Sequence, residues 1–225
     1  MIYVIYRNDP SEVKYELKDG MKAIQNKNVM SAIYGDTYLY PDILRDAKAN
    51  GYETIGIYQA RRHLSHRNTN AILTEDAITD KDSIYHTWYW VGGMNDFGTN
   101  LGLWVNSHPQ YRNLLFEACD IVCRKFPEYR DTVNNMQWSN LLFVHNMFIM
   151  PTHDFELYMN WLQTIFAELN LPMDANDKPA SLIAERLFTV YVMHNYPEKY
   201  QKYVGATCYD KVTGEIKQCY NGVAN

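Results

Sequence analysis

The chain opens on an unbroken apolar, β-branched and aromatic run, "MIYVIYR" (residues 1–7). A run with no polar face reads as a central parallel strand covered on both sides. "NDPSE" follows as a loop, with Pro10 and Ser11 placed to start a short helix. "KNVMSAIYGDTYLY" reads as a short strand and then a loop at Gly35-Asp36. In "PDILRDAKANG" the apolar positions change period. Ile43, Leu44 and Ala47 form a helical stripe, Pro41 sits in the first turn and Asn50-Gly51 closes the helix.

"GYETIGIYQA" reads as a second buried strand. Arg61, Arg62, His63, His66 and Arg67 arrive where it ends. "LTEDAIT" has the form of a capping box with Thr74 as cap. "SIYHTWYWVGGMNDFGTNLGLWV" reads as strand, loop and the start of the next element. Leu114, Leu115, Ala118, Ile121 and Val122 mark a strongly amphipathic helix. "NLLFVHNMFIMP" predicts another central strand, kinked at His145-Asn146. "HDFELYMNWLQTIFAELN" and "PASLIAERLFTVYVMHN" predict two long helices.

From about Tyr203 the tail predicts a β-hairpin. A two-residue turn at Thr213-Gly214 would set Cys208 opposite Cys219. Strands alternating with helices predict an α/β fold, a mostly parallel central sheet flanked by helices, with ligands bound beyond the carboxyl ends of its strands. No internal repeat or linker interrupts the chain, so a single domain over 1–225 is expected, with 203–225 as its hairpin tail.

The 225 residues are 47% hydrophobic and 21% charged, ordinary for a globular chain, and the net charge of −5 leaves no global basic field for nucleic acid. A local basic rim is still compatible with that balance. Nineteen tyrosines are unusual. Their flat faces and hydroxyls suit grooves for sugars or bases, although most are expected half-buried at strand edges. No apolar run reaches the ~18 residues of a membrane span, and the N-terminus lacks a signal-peptide pattern. A cytoplasmic protein with reduced cysteines is expected. Cys119 and Cys123 share a helix face without further ligands at zinc spacing.

Arg61-Arg62 suits a diphosphate or carboxylate, because guanidinium forks match such oxygens; the alternative is a surface pair neutralised by nearby acids. Asp80-Lys81-Asp82 has the form of a metal-holding DxD but precedes an apolar strand instead of following one, so a solvated turn is expected. His63 and His66 make at most half a metal site. Gly92 and Gly93 lack dinucleotide-binding spacing, and the common hydrolase and zinc-protease motifs are absent. Glu185-Arg186 inside an apolar helix is either a tuned general base or a structural ion pair.

Three segments together resemble a known family. "YETIGIYQARRHLS" is similar to the strand-plus-"HYRRYF" segment of small glycosyltransferases from bacterial surface-polysaccharide loci, galactofuranosyltransferases among them. "FPEYRDTVNNMQWSNLLFVHNMFIMPTHDFELYMNWLQTIFAEL" resembles their "PEY…NMFIM" block, and "LIAERLFTVYV" their "SERL" helix. The resemblance covers roughly residues 51–195. It implies a GT-A-like nucleotide-sugar fold, with Arg61 and Arg62 where other GT-A enzymes carry DxD. The chain departs from the family at Gln59-Ala60, where the family has His-Tyr, and in its short front half, where "YGDT" and the helix "PDILRDAKANG" are what remain. Similar short relatives occur in tailed phages, where sugar transferases decorate hydroxymethylated DNA bases.

What the resemblance implies is transfer of a sugar from a nucleoside-diphosphate sugar, a UDP-sugar by preference, to a hydroxyl. Arg61 and Arg62 would bind the diphosphate, and Tyr6, Arg7 and Asn8 the nucleoside. Glu185, or Asp96 after it, would deprotonate the acceptor. Asn146 would orient donor or acceptor, and Trp88 and Trp90 would stack on the acceptor unless they belong to the core. No residue is assigned to a metal, and dependence on a divalent ion stays open. A glycan acceptor is preferred to hydroxymethylated DNA; a binding module without chemistry is the third reading.

Overall fold

The computed structural model describes residues 1–91 and 98–220, with side chains as far as 217. The first strand, β1 (Ile2–Tyr6), is followed by β2 (Met21–Gln25), a one-turn helix α1 (Ser31–Tyr34), a 3-10 segment Gly35–Leu39 and helix α2 (Tyr40–Ala49). Then come β3 (Thr54–Gln59), β4 (Arg62–Ser65) and β5 (Ile84–Trp90). A helical block follows: α3 (Asn100–Ser107), α4 (Arg112–Lys125) and α5 (Arg130–Trp138). The long strand β6 (Leu141–Pro151) leads into α6 (Thr152–Phe166) and α7 (Pro179–Asn195). The chain closes with β7 (Gln201–Tyr203), β8 (Gly205–Tyr209) and β9 (Ile216–Tyr220).

Among the described residues, nine strands join one curled sheet. Its main run is β2-β1-β3-β6-β5-β7, and β4, β8 and β9 extend from the end of β3. Alternation within β1 divides the core. Tyr3 and Ile5 face the helices, and Ile2 and Val4 face a smaller cluster with Tyr58, Leu64 and Met147. Burial of both faces is what an uninterrupted apolar run requires.

The sheet is mixed, which corrects the expectation of a mostly parallel one. Pairs β1–β2, β1–β3 and β5–β7 are parallel. Pairs β3–β4, β3–β6, β4–β8, β5–β6 and β8–β9 are antiparallel. Apolar periodicity carries no strand direction, and two connections reverse it here. After Gln59 the chain folds straight back through Ala60-Arg61, so that Gln59 pairs with Arg62 and no helix intervenes. After α5, β6 enters between β3 and β5 against both. The stretch "KNVMSAIYGDTYLY" is also corrected: it forms α1 and the 3-10 segment, and the strand lies upstream at β2.

The C-terminal hairpin forms with a register shift between Cys208 and Tyr209, but it pairs Cys208 with Gln218 and Thr207 with Cys219. The turn is also longer than two residues, because the Asp210 N–H donates to the Glu215 carbonyl and the Gly214 N–H to the Asp210 carbonyl. The expected Cys208–Cys219 pairing is therefore overturned. Among the described residues, no helix is long and apolar enough to cross a membrane.

Gly56 marks the tightest crossing of the sheet, where β3 lies between β1 and β6. A Cβ there would sit 2.7 Å from Ile2 Cγ1 and 3.1 Å from Ile149 Cγ1. Overpacking a sealed core costs about 1–3 kcal/mol. Gly56→Val is expected to lower the unfolding free energy by that amount, read as a lower urea midpoint; an unchanged midpoint would show that β1 and β6 do not meet at this residue.

Candidate functional site

Because β1 and β3 are parallel with Ile5 opposite Gln59, their carboxyl ends finish side by side. The Ala60 N–H donates to the Ile5 carbonyl at 2.9 Å and locks the two exits together. A cleft of about 510 Å³ opens there. Tyr6 and Arg7 reach it from β1, Gln59 to Arg62 from the β3–β4 turn, Asp36 from the 3-10 segment, His145 and Asn146 from β6, and Lys178, Ser181, Glu185 and Arg186 from the start of α7. The lining holds five cationic side chains (Arg7, Arg61, Arg62, Lys178, Arg186) against three carboxyls (Glu12, Asp36, Glu185) in a chain of net charge −5.

The loop after β1 is clamped from both sides. Glu12 accepts from the Arg7 N–H at 2.8 Å and from the Asn8 amide at 2.7 Å. Gln25 Nε2 donates to the carbonyls of Arg7 and Asn8 at 3.0 and 2.8 Å. Asn8 is thus a loop anchor outside the cleft lining, whereas the Arg7 guanidinium turns inward and donates to the Ser31 carbonyl at 3.0 Å. At the β3–β4 turn Arg62 Nη1 donates to Gln59 Oε1 at 2.9 Å, and Gln59 Nε2 donates to the His145 carbonyl at 2.9 Å. Arg61 is exposed and Arg62 half-buried.

Asp36 and Lys178 belong to the site and were not assigned to it from sequence. Asp36 is buried, which raises its pKa; the charges of Lys178, Arg7 and Arg62 oppose that rise. Gly35 makes this position possible. Its φ is 58°, and a Cβ on it would lie 2.7 Å from Ser181 Cβ, so the segment seats directly on α7. Lys178 adopts the left-handed conformation just before Pro179, and its N–H donates to the Ala32 carbonyl at 2.8 Å. Burial lowers the Lys178 pKa, and Asp36 works against that fall. The sequence signals available were the "YGDT" match and a lysine directly before an N1 proline.

The predicted kink in β6 is a three-residue expansion. Phe143 pairs with Trp88 and Phe148 with His86, so four residues of β6 stand against Thr87 alone. His145 and Asn146 both have positive φ, 72° and 51°. Such conformations cost of order 1–3 kcal/mol for a non-glycine residue and persist only where surroundings hold them. Here the His145 N–H donates to Glu185 Oε1, and Asn146 Nδ2 donates to the Ser181 carbonyl at 2.9 Å. Asn146 Oδ1, buried in the cleft wall, has no hydrogen-bond donor among the described residues.

Glu185 lines the cleft and is ion-paired as well. Arg186 Nη1 donates to its Oε2 at 2.7 Å, and the guanidinium, 3% exposed, lies 5.1 Å from the centre of the Trp104 ring. His108 packs on the same ring at 4.7 Å, and burial together with Arg186 pushes its pKa down to about 4. Burial, aided by Arg62, pushes His145 down to about 3.

Trp88 and Trp90 do not line the cleft. Trp88 packs edge-on against Tyr203, Trp90 is 47% exposed, and Tyr89 between them is the residue that lines the cleft. Strand alternation is the reason: the two tryptophans share the face that Tyr89 does not. Asp96 and the Gly92-Gly93 pair lie outside the described residues. Asp80 forms a turn away from the cleft, accepting from Ser83 Oγ at 2.6 Å and pairing with Lys202 at 3.1 Å. His63 is buried against Tyr209, 3.1 Å from its hydroxyl, and His66 is exposed, so the two diverge. Among the described residues no group of three or more His, Cys, Asp or Glu side chains converges as a metal site.

A family profile described as Domain of unknown function (DUF4422) matches residues 47–196. No curated protein gives a significant match. A solved structure titled "WbbM bifunctional glycosytransferase apo structure" superposes on all of this chain with a TM-score of 0.75 at 17% identity. The chain spans 46% of that protein's chain, and at such identity the likeness is one of fold.

The depressed histidines set a sign for acid stability. His86, at about 3 from burial in the core, joins His145 and His108 in remaining neutral when folded. Below the ordinary imidazole value near 6.5 the unfolded chain takes up protons that these rings refuse. Their contribution is complete above about pH 6.5 and is lost progressively below it, down to about 4 for His108 and about 3 for His86 and His145. The unfolding free energy is expected to drop between pH 7 and pH 5 by about 1–2 kcal/mol for each of His86 and His145, read as a lower urea midpoint. A midpoint that holds or rises at pH 5 would contradict their burial as neutral rings.

Proposed function

The chain belongs to the DUF4422 family, and we propose that it is a glycosyltransferase that moves a sugar from a nucleoside-diphosphate sugar to a hydroxyl acceptor. The observation that carries this reading is the gathering of Arg7, Arg61, Arg62 and Lys178 around one cleft at the carboxyl ends of two parallel strands, in a fold similar to that of a glycosyltransferase. Cations at a strand terminus in a partly desolvated cleft suit a diphosphate, whose leaving charge they offset. A UDP-sugar is the preferred donor.

In this reading Arg61 and Arg62 hold the diphosphate. Tyr6 and Arg7 contact the nucleoside, and Asp36 accepts hydrogen bonds from ribose or sugar hydroxyls. Lys178 balances Asp36 and adds positive charge beside the phosphates. The acceptor oxygen attacks the anomeric carbon, its proton passes to Glu185, and the electron pair of the broken carbon–oxygen bond leaves on the nucleoside diphosphate. The Arg186 guanidinium and the His145 peptide fix the Glu185 carboxylate. Asn146, with its carbonyl oxygen unpartnered in the wall, orients the donor or acceptor. Tyr89 takes the acceptor-side position first given to Trp88 and Trp90. The acceptor hydroxyl belongs to a glycan or to a hydroxymethylated base in DNA.

Thermal-shift screening against UDP-, GDP-, CMP- and dTDP-sugars finds the donor, because a ligand of the native state alone raises Tm. Arg61→Ala and Arg62→Ala are each expected to weaken binding of the nucleoside diphosphate by about 1.5–3 kcal/mol while the chain stays folded. Equal affinity in both variants would remove the diphosphate role. Glu185→Gln is expected to lower kcat by about 10²–10⁴ with donor affinity retained; wild-type turnover in that variant would dismiss Glu185 as the base.

A further inference from the structure

Beside the cleft, on the far side of the arginine pair, lies a second and smaller hollow of about 190 Å³. Arg61 and Arg62 form the wall it shares with the cleft, and Cys208, Tyr209, Asp210, Lys211 and Lys217 of the C-terminal hairpin form the rest. The backbone fixes this arrangement. The Tyr209 N–H donates to the Arg61 carbonyl at 2.9 Å, and Arg62 pairs with Cys208 across β4 and β8. The hairpin is therefore stitched to the turn that carries the arginines.

The cations of the hollow are only partly offset: Asp210 acts on Lys217 and Arg61, and Glu12 on Arg61, through space and without a direct ion pair. Among the described residues, Arg61, Arg62, Lys211 and Lys217 make no ion pair with a carboxylate, whereas Lys18, Lys22, Lys48, Lys81 and Lys125 elsewhere on the surface each do. The one acid in the wall, Asp210, is committed to the turn: its Oδ1 accepts from the N–H groups of Val212 and Thr213 at 2.7 and 3.0 Å. Four cations against one carboxylate, which the turn holds at Val212 and Thr213, leave the described lining of this hollow with a net positive charge that suits a phosphate.

We propose that this hollow is an acceptor-side phosphate subsite, so that the acceptor carries a phosphate or diphosphate close to the hydroxyl that receives the sugar. The proposal rests on the glycosyltransferase reading of the adjoining cleft. The arginine pair then stands between two anions: the donor diphosphate on the cleft side and the acceptor phosphate on the hairpin side. The lysines belong to the acceptor alone. This division separates the two roles experimentally.

The test is a titration of inorganic pyrophosphate into the protein saturated with UDP, or with whichever nucleoside diphosphate the cleft accepts. A second anion is expected to bind, and the double variant Lys211→Ala/Lys217→Ala is expected to weaken it at least tenfold while nucleotide affinity changes less than twofold. Nucleotide binding without a second anion, or a second anion indifferent to both lysines, would overturn the subsite and leave the donor reading standing. Failure to bind any nucleoside diphosphate would instead strike the donor reading. Parallel titrations with a hydroxymethylated DNA duplex and with phosphatidylglycerol vesicles identify the source of the phosphate. The source is the one whose binding falls in the double variant and weakens with salt.

Discussion

The parallel register of β1 with β3 is the constraint on which the site depends. With Ile5 opposite Gln59, the residues after each strand leave the sheet at the same place. Tyr6-Arg7 and Ala60-Arg61-Arg62 therefore become neighbours although more than fifty positions separate them in the chain. A strand with two apolar faces has to be covered on both, which fixes β1 in the sheet interior and its exit at a sheet end. Gly56 lets β1 and β6 approach β3 from both sides without a clash. From the other side of β3, the expanded stretch of β6 turns His145 and Asn146 into the same space.

The second constraint is electrostatic. An acidic chain concentrates five cationic side chains in one cleft. Two are neutralised internally: Arg186 by Glu185 at 2.7 Å, and Lys178 in part by the buried Asp36. Arg7 is held by a carbonyl and Arg62 by a neutral amide, while Glu12 offsets Arg61 and the buried Asp36 offsets Arg7 and Arg62 only through space. Neutral partners orient a guanidinium without cancelling it, so the positive potential remains available to an anionic ligand. This arrangement recommends a diphosphate over a neutral ligand.

What could be read from the sequence was local. Arg61-Arg62 at a strand end, the kink at His145-Asn146, the acid–base pair in α7 and the C-terminal hairpin all lay in short contiguous patterns. What could not be read was relational. Strand direction is invisible to periodicity, so the hairpin corner at Ala60-Arg61 and the antiparallel entry of β6 were missed. Asp36 joins the site only because Gly35 seats its segment on α7, a contact between residues 146 positions apart. Trp88 and Trp90 stand on the face of β5 away from this cleft, and one step of alternation makes Tyr89 the lining residue. The cysteine register failed at the turn, which pairs Tyr209 with Ile216 where a two-residue turn at Thr213-Gly214 would pair it with Gln218, and the irregularity at Cys208-Tyr209 restores only one residue of that difference.

The central claim is that the cleft at the ends of β1 and β3 receives the diphosphate of a sugar donor. A crystal structure of the chain with bound UDP, or with the nucleoside diphosphate that gives the largest thermal shift, tests it most directly. The account predicts the phosphates between Arg61, Arg62 and Lys178, the ribose beside Asp36, and the base near Tyr6 and Arg7. A nucleotide bound elsewhere on the sheet, or in this cleft with its phosphates turned away from the arginine pair, would contradict it.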